Sequence, residues 1–224
     1  QAKLTDNLHL SIEPYFQQLK DVPVSSDGYI SSMNNNNTLF FNEVLDSKGK
    51  GRNVGIDLTL EKFLSRGYYY MLTASVFDSK YTAADGIERN TRFNRNYVFN
   101  LMAGKEWQTA KNNILSANVR LNYLGGNRIE PIDIDASLQQ HDVVYGETNG
   151  NIAFSQKHDD LPVVSFTLSY RKNKARYSSV WSLQVLNANG SEEYSNDFYN
   201  LKTNQIDTKY DGLVIPNISY KIEF

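Results

Sequence analysis

Three histidines, His9, His141 and His158, are the side chains best suited to move a proton near neutral pH, because imidazole alone titrates there unperturbed. His158 precedes Asp159 and Asp160, so a hydrolase of the Ser-His-Asp type would draw its base and orienting acid from that run. The Gly-x-Ser-x-Gly turn that presents such a serine does not accompany it. The plainer reading makes His9 a polar strand residue and the other two polar loop residues. Asp133, Asp135 and Asp142 offer oxygens to calcium, but without the glycine and closing glutamate of a calcium-hand loop they read as solvated acids. Gly49-Lys50-Gly51 lacks the spacing and the following helix of a phosphate loop. No cysteine occurs, which removes thiol catalysis, zinc–thiolate sites and a disulfide scaffold. The expectation is a protein that is not an enzyme, with no catalytic, cofactor-binding or metal site.

The elements that would carry these residues are strands. Residues alternate between apolar and polar along most of the chain, the mark of a strand with two unlike faces. Eight segments show it: Leu8–Phe16, Val54–Glu61, Tyr68–Val76, Asn96–Glu106, Leu115–Tyr123, Val164–Arg171, Trp181–Asn187 and Val214–Phe224. The 15 tyrosines and 11 phenylalanines suit strands as well. No comparable helical period appears, and no run approaches the roughly 18 apolar residues of a spanning helix. Mean hydropathy is −0.52, which a β-barrel tolerates because only one face of each strand is apolar. The formal net charge of −2 gives no field that would attract nucleic acid.

The connections alternate between tight and long. Ser65–Gly67, Thr109–Asn113 and Asn173–Ser178 are tight; 21–52, 82–95, 127–161 and 190–211 are long. In an up-and-down antiparallel sheet this puts every short turn at one end and every long loop, such as that holding Asn34–Asn37, at the other, as in outer-membrane barrels. The tight turns carry Arg66, Lys111, Lys172, Lys174 and Arg176, which are either solvated or in contact with anionic lipid.

Charges in mid-strand decide which face is outward. A packed core rarely holds unpaired charges, so Asp57, Glu61, Asn118, Arg120, Asn122, Thr167 and Arg171 are expected to face a polar lumen. Leu72, Leu101, Val119, Leu121, Phe166, Leu168, Leu183 and Ile218 are expected to face lipid. Tyr68, Tyr97, Tyr123, Tyr170, Trp181 and Tyr220 sit near strand ends on the apolar face, where aromatic girdles form at membrane interfaces.

The final strand, Asn217-Ile218-Ser219-Tyr220-Lys221-Ile222-Glu223-Phe224, resembles the C-terminal assembly signal of outer-membrane proteins, carried by Tyr220, Ile222 and Phe224. Ser219 stands where that pattern often has glycine. Arg52–Glu61, Gly67–Tyr81, Arg92–Tyr97 with Gly104–Trp107, and Leu121–Asp133 resemble barrel segments of TonB-dependent receptors of the kind common in Bacteroidetes. The resemblance covers most of residues 50–224 and implies the C-terminal part of a larger barrel of about 22 strands around a plug. It also implies the outer membrane of a Gram-negative cell and energised uptake of a scarce ligand. The implied partners are the bilayer, the outer-membrane assembly machinery, the remainder of the receptor with its plug and upstream strands, the TonB energy-transducing complex, and an unknown external ligand. No plug domain or energy-coupling motif is found within residues 1–224.

The runner-up is a stand-alone eight-stranded outer-membrane barrel with a structural or adhesive role. It would close by pairing residues 8–17 with 214–224, around an internal network of Asp57, Glu61, Arg120 and Arg171. A soluble lipocalin-like binder and an outer-membrane enzyme are the remaining readings.

Overall fold

The computed structural model describes residues 1–26, 28–35, 44–148 and 150–224. Nine strands form one antiparallel up-and-down sheet in the order β1 (Ala2–Thr5), β2 (Leu8–Ser25), β3 (Leu45–Ser65), β4 (Tyr68–Thr82), β6 (Tyr97–Gln108), β7 (Ile114–Leu124), β8 (Leu161–Asn173), β9 (Ser178–Leu186) and β12 (Ile215–Glu223). The short β5 (Glu88–Asn90) adds to the far end of β4 as the tenth strand. β10 (Glu193–Asn200) and β11 (Gln205–Asp211) form a separate hairpin, and one short helix, α1 (Ile134–Gln140), lies in the β7–β8 connection.

All eight expected strands are present, and their connections alternate as the sequence predicts. β1 adds one more tight turn at the same end, at Asp6-Asn7. The long connections are less irregular than their composition suggests. β2 and β3 stay paired from Leu8↔Lys62 out to Ser25↔Leu45, so much of 21–52 is a hairpin that outruns its neighbours. The 190–211 stretch folds back as β10–β11. The last strand starts at Ile215, leaving Val214 outside it. Of the asparagine run, Asn36 and Asn37 lie outside the described residues.

Register sorts the alternating residues into two faces. Leu10, Leu60, Leu72, Leu101, Leu121 and Val164 pair in succession across six strands. One residue along, Ser11, Thr59, Thr73, Asn100 and Asn122 form the matching row on the other face. A slip by one position would exchange the faces, so the rows hold each other in place. Two glycines on the polar face admit an aromatic neighbour: the Tyr15 ring lies over Gly55, and the Tyr69 ring over Gly104. At the turn end, Arg66 (φ 54°) and Gly67 (φ 79°) give two successive left-handed residues, the tight hairpin whose twist matches the strands.

The apolar face is open. Val119 is 36% exposed, Phe166 40%, Leu168 45% and Ile218 74%, and among the described residues the strands contact their sheet neighbours with no element packed broadly across either face. Buried hydrophobic residues are instead Val22, Val24, Tyr81, Ala83, Ala153 and Phe154, all at the long-loop end. The sheet also does not close. Among the described residues β12 pairs with β9 alone, and β2 lies between β1 and β3.

Candidate functional site

The long connections converge into a layer with its own small core. Tyr81, Ala83, Ala153 and Phe154 pack together with Tyr29 and Met33 against them. The Tyr81 hydroxyl donates to the Tyr29 carbonyl (2.7 Å), and the Tyr29 hydroxyl donates to Glu130 (2.9 Å). The side chain of Arg89 is fully buried beside this core. It donates from Nε and Nη2 to the two oxygens of Glu147 (2.6 Å each), and from Nη1 and Nη2 to those of Asp85 (3.0 and 2.7 Å). Planar guanidinium matches two carboxylates in this way and lysine does not. The Arg89 hydrogen bonds hold both carboxyls below their ordinary range, against the opposing effect of burial. Arg92 pairs with Glu130, and Arg128 reaches the Asn94 carbonyl (2.9 Å) and Asn96 (2.6 Å).

Beside this core a cleft of about 200 Å³ separates the β7–β8 connection from the β10–β11 hairpin. The His158 ring stacks on Tyr194 at 4.2 Å, with Tyr210 edge-on at 6.3 Å. Burial pushes the His158 imidazole below its usual value, more than Asp197 and Asp159 raise it. Arg95 (2.7 Å) and Asn127 (3.2 Å) hold Glu193. Asp160 accepts from the hydroxyls of Tyr97 (2.6 Å) and Tyr123 (2.8 Å) and from the Gly126 amide (3.2 Å). Those bonds, the Tyr97 one first, draw its carboxyl down to about 2.

Several of the residues weighed above for chemistry have other partners in the structure. Asp160 is occupied by two tyrosines and His158 by a tyrosine ring, so the triad-like run is not assembled as one. Asp133 caps α1 by accepting from the Ala136 amide (2.9 Å), the ordinary work of an aspartate at a helix start. Asp142 accepts from the Val143 amide (2.8 Å). No group of three or more metal-ligating side chains occurs among the described residues. His9 meets the Phe63 ring edge-on at 5.0 Å. Gly125 and Gly126 serve close approach: a side chain would strike the Arg95 carbonyl at the first and the His158 carbonyl at the second.

On the polar face the expected residues form a ladder of short bonds. Ser75 donates to Asp57 (2.5 Å), Asn100 to Thr73 (3.0 Å), Asn122 to Asn100 (2.5 Å) and Asn118 to the Tyr69 hydroxyl (2.8 Å). Thr167 pairs with Asn118 and Gln184. The charged network expected of a closed small barrel is not formed. Arg171 bridges to Glu223 (2.6 Å), Glu61 sits in a row with His9 and Met71, and Arg120 between Met102 and Ser165. The predicted aromatics cluster at strand ends: Tyr97 stacks on Tyr123 at 6.1 Å, and Trp181 lies 4.4 Å from Tyr220. Arg89, Glu147, Tyr194 and Tyr210 were not singled out from sequence. Their pairings span long separations, and no local spacing signals them.

No family model matches the chain, and no curated protein or solved structure matches it either.

Proposed function

We propose that this chain is part of a bacterial outer-membrane β-barrel, the C-terminal portion of a TonB-dependent transporter that takes up a scarce ligand. The observation that carries the reading is the continuous, exposed apolar face, in register across the sheet. In water that surface would be a broad unburied apolar patch of a kind that soluble monomers rarely expose. In a bilayer it is the required outer wall.

Three further features support it. On β6, Tyr97 and Trp107 lie on the apolar face ten residues apart. At about 3.3 Å per residue and a tilt of 35–45°, that is roughly 25 Å of height, the thickness of the apolar band of such barrels. Lys62 and Lys105 sit on the same face at the turn end, 4.7 Å from the Tyr68 ring and 5.5 Å from the Trp107 ring, where long cationic side chains reach interfacial water. The open edges favour a larger barrel over an eight-stranded one, because an unpaired edge in lipid leaves backbone groups unsatisfied. On this reading the polar ladder lines the lumen, the loop layer faces outward, and the cleft between the β7–β8 connection and the β10–β11 hairpin is the place of first contact with ligand.

Residues 1–224 contain no cysteine, so single cysteines are introduced there in the full protein, with any cysteine outside this stretch replaced by serine. Asn151→Cys, in a long loop, is expected to react on intact cells with a membrane-impermeant maleimide. Lys174→Cys, in a tight turn, is expected to react only after the outer membrane is permeabilised. Equal labelling at both sites on intact cells would count against this placement. A plug domain upstream in the same reading frame would support the transporter assignment; a signal peptide directly preceding Gln1 would refute it.

A further inference from the structure

We propose that the groove between β8, β9 and β12 binds an anionic glycerophospholipid, with an acyl chain along the groove and the headgroup phosphate on Lys172 and Arg176. This rests on the membrane reading above and adds a specific site to it. The groove measures about 290 Å³ and is lined by Leu115, Leu168, Tyr170, Trp181, Leu183 and Ile218. Trp181 and Tyr170 wall it at the turn end, with the Tyr220 ring 4.4 Å from that of Trp181.

The next row turnward on the same face is Lys172, Ser179 and Ile222, about 7 Å further along the strands. Lys172 shares its face with Leu168 and Tyr170, so it is a cation on the apolar side of the sheet. Ser179 beside it is small and 7% exposed. Arg176 lies in the β8–β9 turn and is exposed. Neighbouring cations are committed elsewhere: Arg171 and Lys221 to Glu223 (2.6 and 2.7 Å), and Lys174 to the Tyr177 hydroxyl (2.6 Å). The side chains of Lys172 and Arg176 form no ion pair or hydrogen bond among the described residues. An apolar groove with an uncommitted lysine in its next row and an uncommitted arginine in the adjoining turn has the polarity of one molecule class, an amphiphile with an anionic head.

Trp181 reports on this groove directly. Trp181 is read as the difference in tryptophan emission between the full protein and its Trp181→Phe variant, so other tryptophans, Trp107 included, drop out. The protein is reconstituted in phosphatidylcholine vesicles carrying a small fraction of brominated lipid, either phosphatidylglycerol or phosphatidylcholine. Brominated phosphatidylglycerol should quench Trp181 at lower mole fraction, with a preference of roughly fivefold per cation. Lys172→Gln with Arg176→Gln should abolish that preference while leaving quenching by brominated phosphatidylcholine unchanged, which also shows that the variant is folded. Equal quenching by both lipids overturns the site but keeps the membrane reading. A preference that survives in the double variant overturns the assignment to these two cations. Quenching by neither lipid overturns the site and the membrane reading together.

Discussion

Arg89 shows how one side chain can hold a loop layer together. Its guanidinium is fully buried between Asp85 and Glu147, which come from different connections. Replacing it with methionine would leave two carboxylates facing each other without a cation, a change that costs about 3–5 kcal/mol for a buried pair. Amide exchange should therefore speed up across 81–92 and 145–154 in Arg89→Met, while the sheet strands keep their protection. Unchanged exchange there would mean that the aromatic core alone holds the layer. The same residues set a pH dependence. Asp85, Glu147 and Asp160 are all held below their ordinary values, so the unfolded layer takes up protons first as the solution is acidified. Their stabilising contribution is complete above the unfolded carboxylate values and is lost as pH falls through the folded ones. His158, depressed by burial, adds an earlier loss as pH falls below about 6.5. For Asp160 the window runs from 3.8 down to about 2. Asp160→Asn should remove that step from an acid titration of loop-layer exchange, and a step of unchanged size would contradict the two-tyrosine account.

Strands are the scale at which the sequence was most legible. Alternation such as Leu115-Ser116-Ala117-Asn118-Val119 sits directly in the side chains, and the structure pairs these residues into two alternating rows. What alternation could not give was strand length beyond the alternating stretch. β2 and β3 continue through Asp21–Ser25 and Leu45–Arg52, where turn-forming residues mask a pairing fixed by backbone bonds alone. The β10–β11 hairpin was hidden for the same reason, since its Asn-, Asp- and Ser-rich sequence reads as loop. The loop-end cleft was only partly visible: His158 and Asp160 stood out by type, but their partners Tyr194 and Tyr97 lie far away in sequence. Two element-scale predictions follow from the register. Gly104→Val should destabilise the β4–β6–β7 region, because the added side chain enters the space of the Tyr69 ring; Tyr69→Ala in the same chain should recover part of the loss, as measured by unfolding in detergent. Arginine at Val119 or Leu168 should cost about 2–4 kcal/mol in a bilayer, if these lie near its midplane, and at Asn118 or Thr167 far less. Equal costs on both faces would contradict the proposed orientation.

The molecule as a whole is a single curtain of strands with two free edges and a folded layer at one end. Among the described residues its small buried core lies in that layer, and the apolar face of the sheet is exposed. In a protein whose net stability is a small difference between large terms, such a surface needs a partner, and the proposal is that the partner is lipid. The outer edges of β1 and β12 have no strand beside them among the described residues. A Lys3→Cys and Ser219→Cys pair should therefore not form an intramolecular disulfide in the intact protein, whereas a chain closed on itself would bring those edges together. The sidedness of the sheet is tested most directly on one strand. Nitroxide labels placed singly at residues 117 to 122 of β7, with the protein in bilayers, would be read by their collisions with oxygen and with a water-soluble nickel complex. The account predicts that oxygen contact peaks at 117, 119 and 121 and nickel contact at 118, 120 and 122. The opposite phase, or no alternation at all, would contradict it.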